Sequence, residues 1–382
     1  MSRNSKIVIA VVAVIAVAAI AFFGIRNRMH KPTEDKNVIK IGAILPLTGS
    51  LANLGQENKA GIMLAVEDVN NKGNNYRIDV VFYDSKGDPK TALSAMRQLD
   101  ILGVDKIILS TTQTVLPILQ AYKNDARFMF SANCQTDGLL TNYNNAMRIY
   151  FSSENETTMM ASYILKNEFK RIGILRINTE SGLEPITVMR KKIQNKNPLA
   201  VFAEQVFEFS DKSYKDKILA IQAFNPEAIV VYSYPDQWPQ LVKHLTECRV
   251  NCPIIANSGF GQTAENDYFK NMAIMRQIVF PAPKFVLDQS NIRLRNVSAR
   301  LEKKFNMHVN YNILYLYDNI LAYSYALNKA GWNASNASLL DSLNGLSFQG
   351  ITGNVSFDSK HDIQLGELKM VKILNGKYIP LD

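Results

Sequence analysis

Short, almost uninterrupted apolar runs recur along this chain with helix-length segments between them, at residues 38–45, 78–83, 106–109, 128–130, 171–177, 228–232, 253–256 and 278–280. Strands covered on both faces are continuously apolar instead of alternating, so these runs predict parallel strands with helices on either side. The intervening segments 55–70 and 88–102 have helix length, and Asp88 followed by Pro89 supplies a carboxylate cap and a proline at the first helical position. Repeated βα units make an α/β protein. The pattern changes twice. A strand-like AMRIY follows a polar stretch near 145–150, and after PAP at 281–283 come two long helical patterns, 288–306 and 311–329, then β-rich sequence. This predicts two doubly wound, Rossmann-like lobes, with the chain returning to the first lobe after Pro281.

At 382 residues the chain has room for two domains. Its formal charge of +9 is misleading until located. Five of the 43 basic residues (Arg3, Lys6, Arg26, Arg28 and Lys31) precede Pro32 and no acidic residue does, which leaves +4 for the rest. That is too little and too dispersed for a nucleic-acid surface. Residues 7–25 are an unbroken apolar run flanked by those basic residues, long enough for an uncleaved membrane anchor. Ala19 and Ala21 also form the A-x-A pattern of a secretory signal, so residues 1–31 are expected to be a signal peptide or an anchor. No Cys precedes Cys134, which excludes an amino-terminal lipoprotein cysteine. Cys248 and Cys252 lie in ECRVNCP, where a short disulfide could staple a helix end to a strand; two separate thiols are the equal alternative. Cys134 reads as packing.

Polar loops follow six of the strands: PLTGSLANLG, STTQT, SANCQT, NTESG, SYPDQW and NSGFGQT. Ligands of open parallel sheets bind outside the carboxyl ends of strands, so these loops predict a polar crevice, although many of their hydroxyls and amides will cap helices. Catalytic constellations are missing. His30, His244, His308 and His361 have no metal-ligand spacing and read as surface residues, and there is no G-x-S-x-G elbow or P-loop. Gly259, Gly261 and Ala264 form a G-x-G-x-x-A after a strand, but no acidic ribose ligand follows. Tyrosines 311, 315, 317, 323 and 325 have the spacing of a packed helix face. No cofactor, metal or enzymatic activity is expected.

The segment IKIGAILPLTGSLANLGQENKAGIMLAVEDVN, from Ile39, resembles the opening of the branched-chain amino acid (leucine/isoleucine/valine) binding proteins, the type I periplasmic binding protein family. YDSKGDPKTA from Tyr83, YDNILAYSYALNKAG from Tyr317 and GNVSFDSKHD from Gly353 are similar to later family motifs in the same order. The resemblance covers residues 38–382. It implies two lobes, 38–148 plus 281–356 and 149–280 plus 357–382, joined by crossings near Ile149, Phe280 and Phe357. It also implies an extracytoplasmic or periplasmic location, with anchoring to the inner membrane through residues 7–25 if these are retained, which makes the 248–252 disulfide more credible.

Carried over loop by loop, the resemblance places ligand contacts at Leu54, Thr111, Thr112, Gln113, Asn133, Cys134, Gln135, Ser181, Tyr234 and Ser258. Leu54 and Ser181 stand where the family has aromatics, and Ser258 where it has the acidic ligand of an ammonium. Burying an ammonium without a carboxylate is costly, which sets an amino acid ligand in question. Asp236 could replace that acid only by turning inward, and it reads as a solvated surface residue. The implied function is a solute-binding protein that closes on a small polar ligand and delivers it to an inner-membrane ABC permease. The alternative is a membrane-tethered sensor or regulatory module that docks to another protein.

Overall fold

The structure is a computed structural model, described for residues 37–262, 272–287, 290–345, 347–363, 368–374 and 377–381. Residues 7–25, expected as signal or anchor, lie outside the described residues, as do His30 and Ala264. Among the described residues no helix is long and apolar enough to cross a membrane.

The first sheet contains five parallel strands in the order β2 (Tyr76–Asp84), β1 (Asn37–Leu45), β3 (Lys106–Ser110), β4 (Phe128–Ala132) and β5 (Ala146–Arg148). Helices α1 (Ala52–Asn70), α2 (Pro89–Ile101) and α3 (Thr112–Ala121) connect its first four strands. Asp88 caps α2 as expected, its side chain accepting from the Thr91 N–H at 2.8 Å. The second sheet begins with β6 (Arg171–Ile177), β7 (Val201–Phe207), β8 (Ala228–Tyr232), β9 (Ile254–Ala256) and β10 (Ile278–Pro283). Its order is β14-β13-β10-β9-β8-β6-β7, completed by β13 (Leu368–Leu374), antiparallel to β10, and β14 (Lys377–Pro380), antiparallel to β13. Helices α4 (Ser153–Lys166), α5 (Glu180–Lys196), α6 (Lys215–Ala223) and α7 (Trp238–Glu247) cover it. A short two-stranded sheet, β11 (Ser347–Gln349) with β12 (Asn354–Ser356), precedes the last crossing.

After β10 the chain leaves the second sheet. Helices α8 (Ile292–Phe305), α9 (Tyr311–Ala330) and α10 (Asn336–Leu343) return to the core of the first, with α9 packed on α1. Close approach there needs a glycine, because a Cβ on Gly61 would lie 2.3 Å from the Ile313 carbonyl. The tyrosine stripe of α9 is packing. Tyr311, Tyr315, Tyr317 and Tyr323 are buried, Tyr325 stacks on Phe348, and the Tyr323 hydroxyl donates to the Phe128 carbonyl at 2.7 Å.

Three expectations need correction. The sequence gives no signal for β7, an edge strand whose apolar run is broken by Glu204 and Gln205. His244 is not a surface residue: it is buried, with Nδ1 accepting from the Tyr214 N–H at 3.1 Å and Nε2 2.8 Å from Gln240. Cys248 and Cys252 are free thiols. Cys248 ends α7 with its Sγ 4.0 Å from the Lys215 carbonyl, and buried Val250 anchors the chain between the two cysteines in the core.

A clasp ties the first sheet to the last crossing. Arg148, at the end of β5 and 1% exposed, directs Nε at 2.7 Å and also Nη2 to the Asp362 carboxylate, while Nη1 donates to the carbonyls of Cys134 and Thr136. One guanidinium thus joins the loop after β4 to the segment returning before β13. Its planar fork is satisfied on both sides, as burial of an arginine requires.

Candidate functional site

The carboxyl ends of both sheets open on one cleft, with a cavity of about 70 Å³ between them. Leu54, Thr111, Thr112, Asn133, Gln135 and Asn312 line it from the first lobe, and Ser181, Tyr234 and Ser258 from the second, with Glu184, Tyr232 and Asn257. Eight of the expected ligand positions therefore share one cavity. Cys134 and Gln113 are not among its lining residues. Cys134 is fully buried, its Sγ 3.8 Å from the Thr136 hydroxyl. Gln113 reaches across the cleft and donates from Nε2 to the Tyr234 hydroxyl at 2.7 Å. Tyr234 also lies 2.6 Å from the Ser181 hydroxyl, so one phenol joins both walls.

Backbone geometry marks two of these loops. Thr111, directly after β3, has φ 75°, and Asn133, directly after β4, has φ 51°. A β-branched residue in this region is strained by about 1–3 kcal/mol, and such strain collects at functional sites. Thr111 precedes α3 without a side-chain cap hydrogen bond, and the first backbone N–H groups of a helix have no partner within it. Leu54 lies in the first turn of α1, and the loop leading into that helix is held by Asp84, whose Oδ1 accepts from the Leu47 N–H at 2.9 Å.

An amide ladder underlies the first wall. Asn58 Nδ2 donates to Ser110 Oγ at 2.8 Å and to Asn133 Oδ1 at 2.7 Å, and Asn133 Nδ2 donates to Asn312 Oδ1 at 2.9 Å. The Tyr150 hydroxyl donates to the same Asn312 oxygen at 2.9 Å. The ladder ends at Glu57 on α1. Burial first, and then the nearby Asp236 charge, push that carboxyl up to about 7 against hydrogen bonds from Asn310 and Asn312. Asp236 is half-buried and accepts from Asn53 of α1 at 3.1 Å, so it is not the solvated surface residue expected. It faces the first lobe and is not among the residues lining the cleft.

Beneath the second wall lies Glu156, in the first turn of α4 and fully buried. Its Oε1 accepts from the Ser258 N–H at 2.6 Å, and its Oε2 accepts from the Tyr232 hydroxyl at 2.7 Å and from Gln135 Nε2 at 3.4 Å. The Ser258 side chain adds a further hydrogen bond. Burial raises the Glu156 carboxyl, and burial together with this neighbour pushes the Tyr232 phenol well above its ordinary value. Glu184, at the cleft wall, is also raised, by burial first and then by Asp137 and Glu180. Neither Glu57 nor Glu156 was expected from the sequence. SSENET at 152–157 reads as a serine cap with the acidic first turn that any helix favours. Burial and the partners from other elements appear only in three dimensions.

The glycines of 258–262 do not form a dinucleotide loop. Ser258–Gln262 is a short 3₁₀ turn, where a Cβ on Gly259 would meet the Ser233 carbonyl at 2.8 Å and one on Gly261 the Phe280 ring at 2.6 Å. Among the described residues no group of His, Cys, Asp and Glu could hold a metal ion.

The sequence model of a periplasmic binding protein family matches residues 38–377. Leu/Ile/Val-binding protein homolog 3 of Brucella melitensis is 23% identical over 230 residues, which is 59% of this chain and 62% of that relative's own length. Among solved structures, the branched-chain amino acid transporter substrate binding protein LivJ from Streptococcus pneumoniae, in complex with isoleucine, superposes with a TM-score of 0.75 at 20% identity, covering 90% of this chain and 98% of that one. A solute binding protein of an ABC transporter from R. palustris, in complex with benzoate, gives 0.80 at 15% identity over 90% and 96%. At these identities the superpositions show a shared fold.

Proposed function

The chain belongs to the periplasmic binding protein family, and from that premise we propose that it is an extracytoplasmic solute-binding protein of an ABC-type uptake system. It takes a small polar solute, an amino acid or a related compound, between two lobes that close on it. The observation that carries this reading is the single cleft lined by polar side chains of both lobes and bridged by the Gln113–Tyr234 hydrogen bond. A ligand touching both walls binds the closed form better than the open one, and that difference drives closure. The hinge would run through the three crossings, the middle one after Pro283, because residues 281–283 still pair with β13. The relatives named for branched-chain amino acids, and the one holding benzoate, support a small carboxylate-bearing solute. The amino end of α3, with Thr112 and Asn133, offers the donors for that group.

A thermal-unfolding screen of the full chain against amino acids, small amides, carboxylates, amines and nucleotides tests the reading. A native-state ligand at 100 times its dissociation constant adds about 2.7 kcal/mol of stability. One chemical class raising the midpoint is the expected result. No shift with any class, together with capture of a defined membrane partner, would replace solute delivery with the docking function.

A further inference from the structure

Ser258 stands where a direct carboxylate partner for an ammonium would be expected, yet the second wall is not without charge. Glu156 lies immediately behind it and takes the hydrogens of the Tyr232 hydroxyl and of Ser258, both of which line the cleft. A hydroxyl has one hydrogen and two lone pairs. Once the hydrogen is committed to Glu156, the oxygen facing the cleft can only accept. The Ser258 backbone and the Tyr232 ring are both held in place. The Ser258 carbonyl accepts from the Tyr311 hydroxyl and its N–H is bound by Glu156, while Tyr232 is 5% exposed at the end of β8. Gln135 joins the same carboxylate at 3.4 Å from the other side of the crossing, adding one contact from the first lobe to a set otherwise built within the second. The rest of the lining agrees with this polarity. Among the described residues it includes the carboxylate of Glu184 and no Lys, Arg or His.

Resting on the solute-binding reading above, we infer that Glu156 sets the selectivity of the cleft from behind it. Through Ser258 and Tyr232 it presents acceptor oxygens, and so selects solutes that bring a protonated or N–H-bearing nitrogen to the second lobe. Glu156 is a positioning residue. It replaces the missing direct carboxylate by a relay one hydroxyl long, in which a buried charge polarises the groups that touch the ligand.

The test is titration calorimetry of the full chain with matched pairs: L-leucine and 4-methylpentanoate, L-phenylalanine and 3-phenylpropanoate, 4-aminobutanoate and butanoate. The expected result is that the nitrogen-bearing member binds at least about tenfold tighter, and that Glu156→Gln lowers this ratio by about tenfold or more, as for loss of a charge-assisted hydrogen bond. A glutamine donates as well as accepts, and so turns one hydroxyl hydrogen toward the cleft. A purely structural role would weaken both members of a pair equally and leave the ratio unchanged, which overturns the inference. Preference of the unaltered protein for the nitrogen-free members also overturns it, while solute binding itself stands. Failure of every member of these pairs and of the wider screen overturns the solute-binding reading and the inference with it. Should Glu156→Gln not fold, Ser258→Ala decides the matter: the ratio falls if the serine oxygen receives the nitrogen, and an unchanged ratio contradicts the relay.

Discussion

Each wall of the cleft rests on a carboxyl, half-buried Glu57 in one and fully buried Glu156 in the other, and the two are wired differently. In the first lobe Glu57 ends a ladder of amides, Asn310 and Asn312 with Asn133 and Asn58 behind them, all from that lobe. In the second, Glu156 is held mainly by hydroxyls and a backbone N–H of its own lobe, plus Gln135 from the loop after β4. Amides carry both a donor and an acceptor and can pass either polarity to a ligand. Hydroxyls committed to a carboxylate pass only acceptor character. The contrast teaches that charge can be supplied to a cleft without lining it, and that the two walls can offer opposite hydrogen-bonding faces to one solute.

The largest effect should come from cutting the clasp between the first sheet and the last crossing. Arg148→Met leaves the Asp362 carboxylate and two loop carbonyls without their donor, and should cost about 3–5 kcal/mol in denaturant unfolding. A loss below about 1 kcal/mol would show that each lobe sets its own geometry. Next come the ligand contacts. Thr112→Ala and Gln135→Ala should each weaken solute binding by about 1–3 kcal/mol with the folded state kept, Gln135 more because it also serves Glu156. Unchanged affinity in both would move the binding site elsewhere.

A smaller effect separates the walls by pH. The Glu57 carboxyl is raised to about 7 in the folded protein, by burial first, so the folded state keeps a proton that the unfolded chain has already released. Its stabilising contribution is complete below the unfolded value near 4.5 and is lost as pH rises through about 7. Glu57→Gln should flatten the fall in unfolding midpoint between those pH values; an unaltered slope would place the titration on another group. The smallest effect is expected at the exposed edge of the cleft. Asn53→Ala removes only its hydrogen bond to Asp236 and should change stability by less than about 0.5 kcal/mol.

Much of this was legible in the sequence, for identifiable reasons. Continuous apolar runs located β1, β6 and β8 because interior strands are covered on both faces. Edge strand β7, half-exposed and carrying Glu204, breaks that pattern and gives no signal. The cleft-lining hydroxyls and amides follow strands, where open sheets bind ligands, so their loops are readable. Glu57 and Glu156 sit within helices, where a glutamate is ordinary, and what sets them apart is half or full burial beside partners from distant segments. His244 escaped for the same reason, since its ring is satisfied by the Tyr214 N–H, 30 residues away.

The claim that joins these observations is that a solute binds between the walls and brings them together. Small-angle X-ray scattering of the full chain, with and without a solute that raises the unfolding midpoint, measures this directly. The account predicts a smaller radius of gyration with solute, and no such contraction in Thr112→Ala at the same solute concentration. A bound solute that leaves the radius unchanged in the unaltered protein would contradict closure between the lobes.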